Sequence, residues 1–210
     1  MSKRLNALKK EIESLRKLFL PDPFDPLGSY PNTRRVQAHT RAFLVLSHAE
    51  FETYFEEWAK EIARASETIW TKSQRVTTPL AFLLSWSDER LVPPETLSSP
   101  GAHDSTQKLR DIVVKLFATF YKRIKDNHGV KERNVLSLFG PLGISLTAFA
   151  PTLLPNLDAL GTQRGVHAHQ SAKAVVSVLD PETEYKRVEK LLLDIAVFDQ
   201  WIGAYKIKIR

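Results

Sequence analysis

The sequence predicts an all-α protein, an up-and-down helical bundle with an N-terminal helical extension, and three observations carry that expectation. Apolar residues recur at spacings of three and four in several separate segments, the period of a helix with one buried face. No segment alternates with period two strongly enough to compete. The 210 residues include only 8 glycines, and the 12 prolines fall mostly between the periodic segments, as they do in a chain punctuated between helices.

The elements follow in order. Residues 3–19 place Leu5, Leu8, Ile12, Leu15 and Phe19 on a narrow apolar seam. The proline-rich stretch after them cannot stay helical, because proline lacks an N–H and disfavours the helical region in the residue before it. Residues 1–32 therefore read as a helix followed by a linker or ordered arm, and residues 33–210 as the main helical domain. Within 33–69, Leu44, His48, Phe51, Phe55, Trp58, Ile62, Ala65 and Ile69 form one continuous seam. A helix of that length spans roughly 50 Å at 1.5 Å per residue, which makes it the expected spine. Residues 74–103 are less periodic, with a short helix near Thr78–Trp86 and a loop after Leu91. Residues 104–126 carry Leu109, Ile112, Val113, Leu116, Phe117, Phe120, Tyr121 and Ile124 on the helical template and stop at Asn127-His128-Gly129. A short helix over 131–139 ends at Gly140-Pro141, another helix lies within 151–179, and a last one spans 181–205. That last helix opens with Asp180 as N-cap and Pro181 at its first position.

Composition removes several kinds of chemistry. With no cysteine there is no disulfide, thiolate nucleophile or cysteine zinc site. The first residues lack the apolar centre of a signal peptide, and no run approaches the ~18 apolar residues of a membrane span. The expectation is a soluble, cytoplasmic protein without a membrane partner. A net charge of +6 and a pI near 9.5 suit a polyanionic partner such as nucleic acid. Lys9, Lys10, Arg16, Lys17, Arg34, Arg35, Lys122, Arg123 and Lys125 are candidate phosphate contacts or simply solvated helix surface. There is no P-loop, dinucleotide fingerprint or nucleophile elbow, and no cofactor is expected.

The unusual segment runs from Leu157 to His169. At about 100° per residue, Leu153, Leu157, Leu160, Ala168, Ala172, Val175 and Leu179 share one arc, and Arg164 falls inside it. A guanidinium on an apolar arc is costly unless it is paired or faces a cleft or interface. His167 lies nearer to it than His169, which is about 140° round an ideal helix. Either the helix relaxes at Gly165, or the pairing involves a second subunit.

Arg164-Gly-Val-His-Ala-His169 resembles the Arg-x4-6-His signature of HEPN domains, and the chain is most similar to the RiboL-PSP-HEPN family. Three further segments carry the resemblance: Arg41 to Tyr54, Gly129-Val-Lys-Glu-Arg-Asn134, and Gly140-Pro-Leu-Gly-Ile144. It covers roughly residues 35–205, and Gly165 stands where many HEPN motifs have Asn, Asp or His. The resemblance implies a HEPN-type bundle that cleaves RNA without a metal, commonly as a homodimer, with Arg164 and His169 as the catalytic pair.

Those side chains suit the task. A histidine can exchange a proton near neutral pH, and an arginine can hold a phosphate through its changes of charge. His48 on the long-helix seam reads as a core histidine whose helix can line the site. Glu50, Glu52, Glu56 and Glu57 read as a solvated face from which one carboxylate could orient Arg164. Asn134 caps a turn or touches substrate, and His167 is the neighbouring supporting residue. His167-Ala-His169 lacks the partner spacing of a zinc helix, so no metal is expected. The leading reading is an endoribonuclease acting as a toxin or anti-phage defence effector, held by an inhibitory or activating protein such as an antitoxin or defence-system subunit. The alternative is a non-catalytic module that binds RNA or protein within a larger complex.

Overall fold

The computed structural model describes residues 1–89, 105–169 and 178–209, with the backbone alone for residues 164–169. Among them there are seven α-helices, two 3-10 turns and no strand. The helices are α1 (Lys3–Phe19), α2 (Thr33–Ser73), α3 (Thr78–Ser85), α4 (Ser105–Lys125), α5 (Glu132–Phe139), α6 (Leu153–His169) and α7 (Pro181–Ile209).

The helix ends are set by local chemistry. Ser2 accepts from the Leu5 N–H at 3.1 Å, Asn32 from Arg35 at 3.3 Å, and Asp180 Oδ2 from Thr183 at 2.9 Å, each satisfying an orphan donor of the first turn. Thr77 caps α3, with a proline at the start of that helix. The expected stop at Asn127-His128-Gly129 follows α4, and Gly129 takes φ +142°, a value that suits glycine.

α2 has 41 residues, about 60 Å of helix, and packs against each of the other six helices. Contacts along its length fix the directions. Phe43 meets Tyr185, Tyr54 meets Asp199 and Glu61 meets Lys206, so α7 runs parallel to α2. Arg4 reaches Glu61 while Phe19 meets His39, so α1 runs antiparallel. Tyr121 bonds Glu67 and Asn127 bonds Glu56, so α4 does too. The middle of the core is aromatic, with Phe198 at 5.7 Å from Phe55, 5.1 Å from Phe139 and 4.8 Å from Phe149 between ring centroids. These contacts join α2, α5 and α7 to the turn before α6.

The N-terminal helix is part of this packing. Leu5, Leu8, Ile12 and Leu15 are buried, mainly against α2. The proline-rich stretch is an arm laid on α7: Phe24 packs on Tyr185, and the Arg16 guanidinium lies 5.4 Å and 5.5 Å from their two ring centroids. One expectation changes here. Leu179 was placed on a helical arc continuous with Leu153, but residues 178–180 are not helical. Gln37 instead grips the Leu179 backbone, donating to its carbonyl at 2.6 Å and accepting from its N–H at 2.8 Å. Residues 170–177, with Ala172 and Val175, lie outside the described residues, as do 90–104.

Candidate active site

α6 carries the Arg164 and His169 positions. Leu153, Leu157 and Leu160 on its first half are fully buried. Arg164 follows Leu157 by seven residues, Leu160 by four and Gly161 by three, so its backbone position lies on the face α6 turns into the molecule. The helix runs through Gly165 without interruption to His169. The two positions therefore stay about 140° apart around one helix. The Arg164, His167 and His169 side chains lie outside the described residues.

Opposite this face stands α2. His48 is buried at 2% exposure, with Nδ1 3.7 Å from Glu52 Oε2 one turn along. Its Nε2 would lie 3.8 Å from a Cβ built on Gly161. The core position expected of His48 holds, and the histidine faces α6 one turn before Arg164.

Glu52 and Glu56 correct the solvated-face expectation. Glu52 is half-buried beside His48. Glu56 accepts from Asn127 Nδ2 at 2.8 Å. Burial pushes the Glu56 carboxyl above the ordinary range; the Asn127 hydrogen bond opposes the rise and the neighbouring Glu52 adds to it. Glu50 is also raised, first by burial and then by Glu11. Only Glu57 is an exposed surface carboxylate, 3.7 Å from Arg4.

The turn between α4 and α5 closes the third side. Asn127 Nδ2 also donates to the Gly129 carbonyl at 3.1 Å, and Asn134 Nδ2 donates to Asn127 Oδ1 at 3.3 Å. Asn134 thus braces the α4–α5 turn from within α5. Asp158 of α6 accepts from the Glu132 N–H at 2.7 Å, tying the start of α5 to α6. Lys131 lies across Gly161: a Cβ there would stand 2.9 Å from Lys131 Cγ and 3.4 Å from Cε. Sequence reasoning gave Glu56 only as one of four surface glutamates and Asn127 only as a helix stop, and assigned no role at the site to Lys131, Asp158 or Gly161. The one available cue was Gly161 itself, an isolated glycine in a helical pattern, which signals close approach by another group.

Several candidate phosphate contacts have structural partners. Arg16 is held by two rings and Asp22, Lys17 pairs with Glu13, and Lys122 pairs with Asp126. Lys10, Arg34, Arg35, Arg123 and Lys125 are exposed. Among the described residues no group of three or more His, Asp or Glu side chains could hold a metal ion, and no helix is long and apolar enough to cross a membrane.

The RiboL-PSP-HEPN family profile matches residues 3–203, taking in α1, the arm and the Arg164-to-His169 segment. The chain belongs to the RiboL-PSP-HEPN family. No curated protein and no solved structure matches it. The all-α architecture is consistent with a HEPN bundle, and the match extends to α1, which the sequence resemblance alone did not include.

Proposed function

We propose that this RiboL-PSP-HEPN protein is an endoribonuclease, and the observation that carries the reading is the family match across the Arg164-x4-His169 segment. In the proposed reaction the 2′-hydroxyl of RNA attacks the adjacent phosphorus while a base takes its proton. The P–O5′ bond breaks and the leaving oxygen receives a proton, giving a 2′,3′-cyclic phosphate and a 5′-hydroxyl end. His169 exchanges protons as general acid or base, and Arg164 holds the charge on the pentacoordinate phosphorane. The substrate supplies its own nucleophile, so the reaction proceeds without a metal, and DNA binds without reacting.

The active unit is a homodimer in this reading. Its support is the angle between Arg164 and His169 on an uninterrupted α6, which is bridged if the arginine of one copy works with the histidine of the other. The protein acts as a toxin or defence effector under the control of a protein partner.

The test uses single-stranded RNA with EDTA present. His169→Ala and Arg164→Ala should each lower cleavage ~100-fold or more, while His167→Ala stays mild. Mixing the two dead variants distinguishes a shared site from a local one. A shared site regains about a quarter of wild-type activity, since half the dimers are mixed and each has one complete site. No recovery on mixing refutes the shared site. Full activity in both single variants refutes the assignment of catalysis to Arg164 and His169, and no cleavage by the wild type refutes the nuclease assignment and leaves a binding module.

A further inference from the structure

At Gly161 two polar side chains from different elements come against α6. Lys131 arrives from the α4–α5 turn and His48 from α2. The Lys131 stem passes so close that any other residue at 161 would put a carbon 2.9 Å from its Cγ. The stem is therefore laid along α6 by the backbone, and the half-buried lysine has less freedom than one on open surface.

Among the described residues the charge at its tip has no ion-pair partner. Lys115, Lys122, Lys186 and Lys206 are all paired with carboxylates, whereas no carboxylate oxygen lies within 4.0 Å of Lys131 Nζ among the described residues. Asp158 and Glu132 line the same shallow groove, with Lys131, Arg133 and Leu136, and Asp158 Oδ1 is committed to the Glu132 N–H. Gly161 precedes Arg164 by three residues on one face of α6, a rise of about 4.5 Å. An ammonium anchored at Gly161 is thus held within about one helical turn of the arginine position.

We infer that Lys131 is a phosphate-binding residue, held by Gly161 so that its ammonium engages an RNA backbone phosphate beside the one at Arg164. This rests on the ribonuclease reading for its substrate, but not on catalysis. Lysine acts here as a point charge, in contrast to the fork of arginine at the reacting phosphate. Its contribution is to affinity and register along the strand. Gly161 has no side chain to touch RNA and is a positioning residue acting through Lys131.

The experiment measures equilibrium binding of a mixed-sequence 2′-O-methyl oligoribonucleotide, which cannot be cleaved, over a range of KCl concentrations. Lys131→Gln should raise Kd ~5-fold near 0.1 M salt and lower the slope of log K against log[salt] by about 0.7, the value for one single-strand phosphate. Lys131→Arg should restore both. Gly161→Ala, which forces the stem away, should reproduce the loss, and the double variant should lose nothing further. Lys72→Gln, at the far end of α2, controls for loss of any surface charge. If Lys131→Gln matches wild type or Lys72→Gln in Kd and slope, the inference is overturned. If wild type does not bind, the inference and the RNA reading fall together. If it binds with the expected Lys131 dependence but cleaves no RNA, the nuclease assignment fails and Lys131 stands.

Discussion

Asp199 offers the most direct test of how the helices are held together. It is 2% exposed on α7 and accepts three hydrogen bonds: from Ser2 N at 2.8 Å, Ser2 Oγ at 2.5 Å and Tyr54 Oη at 2.9 Å. One carboxylate thus joins the start of α1, the middle of α2 and α7. Burial raises the Tyr54 hydroxyl pKa above its ordinary value, and the Asp199 charge and hydrogen bond raise it further, so the phenol stays a donor. In Asp199→Ala the two Ser2 donors can return to water, since Ser2 is half-exposed. Tyr54, at 2% exposure, cannot recover a partner so easily. Orphaning that hydroxyl costs about 1–3 kcal/mol, and losing hydrogen bonds to a charged acceptor brings the expected total to about 2–4 kcal/mol. For a chain of this size that is a fall in Tm of roughly 5–15 °C. Tyr54→Phe alone should cost about 1–2 kcal/mol, and the double variant less than the sum, because phenylalanine leaves nothing orphaned. Urea denaturation of the four proteins gives the cycle. Strict additivity, or an Asp199→Ala loss under about 0.5 kcal/mol, would show that the carboxylate does not join these helices.

Two further expectations concern buried polar groups. Glu184 is 4% exposed, and burial raises its carboxyl above the ordinary value, although Arg187 opposes this from 3.2 Å without hydrogen-bond alignment. Its favourable contribution is therefore present below the unfolded pKa near 4.5 and is lost as pH rises through the folded value. Glu184→Gln should raise Tm at pH 7 and leave it unchanged at pH 4; a fall at pH 7 would mean the Arg187 attraction dominates. Asn127→Ala removes the amide that links Glu56, Gly129 and Asn134, and should cost about 2 kcal/mol while pushing the Glu56 carboxyl further up. Thermal melts and an NMR titration of the glutamate carbonyls read these two effects, and an unchanged Glu56 titration would contradict the assigned contact.

The helices were legible because their signals are local. The seam from Leu44 to Ile62 and the Asp180-Pro181 start depend on residues within a few turns, and the structure has them where expected. α2 continues past the expected end at 69 because nothing breaks the helix until Gln74 adopts φ +54°. Leu179 was misplaced because the group that fixes its backbone, Gln37, is 142 residues away. The same limit explains Glu56, which has surface spacing on α2 and whose partner Asn127 comes from the α4–α5 turn, 71 residues away. Arg164 was legible as an anomaly, a charge in phase with buried leucines. Lys131, in contrast, has no unusual spacing, and its significance appears only when Gly161 is seen beneath it.

The arrangement of α2 gives the molecule a hub-and-spoke design. α1 and α4 each find their apolar partner on α2 and share no substantial contact with one another. Changes on one spoke are therefore hidden from the other unless they bend the hub. Truncations such as Leu8→Ala on α1 and Val113→Ala on α4 should add in their effects, while each should couple to changes in the α2 residues beneath it. Such a layout lets peripheral helices diverge in sequence one at a time. The burden of compatibility falls on one 41-residue element, whose inward face has to satisfy six neighbours at once.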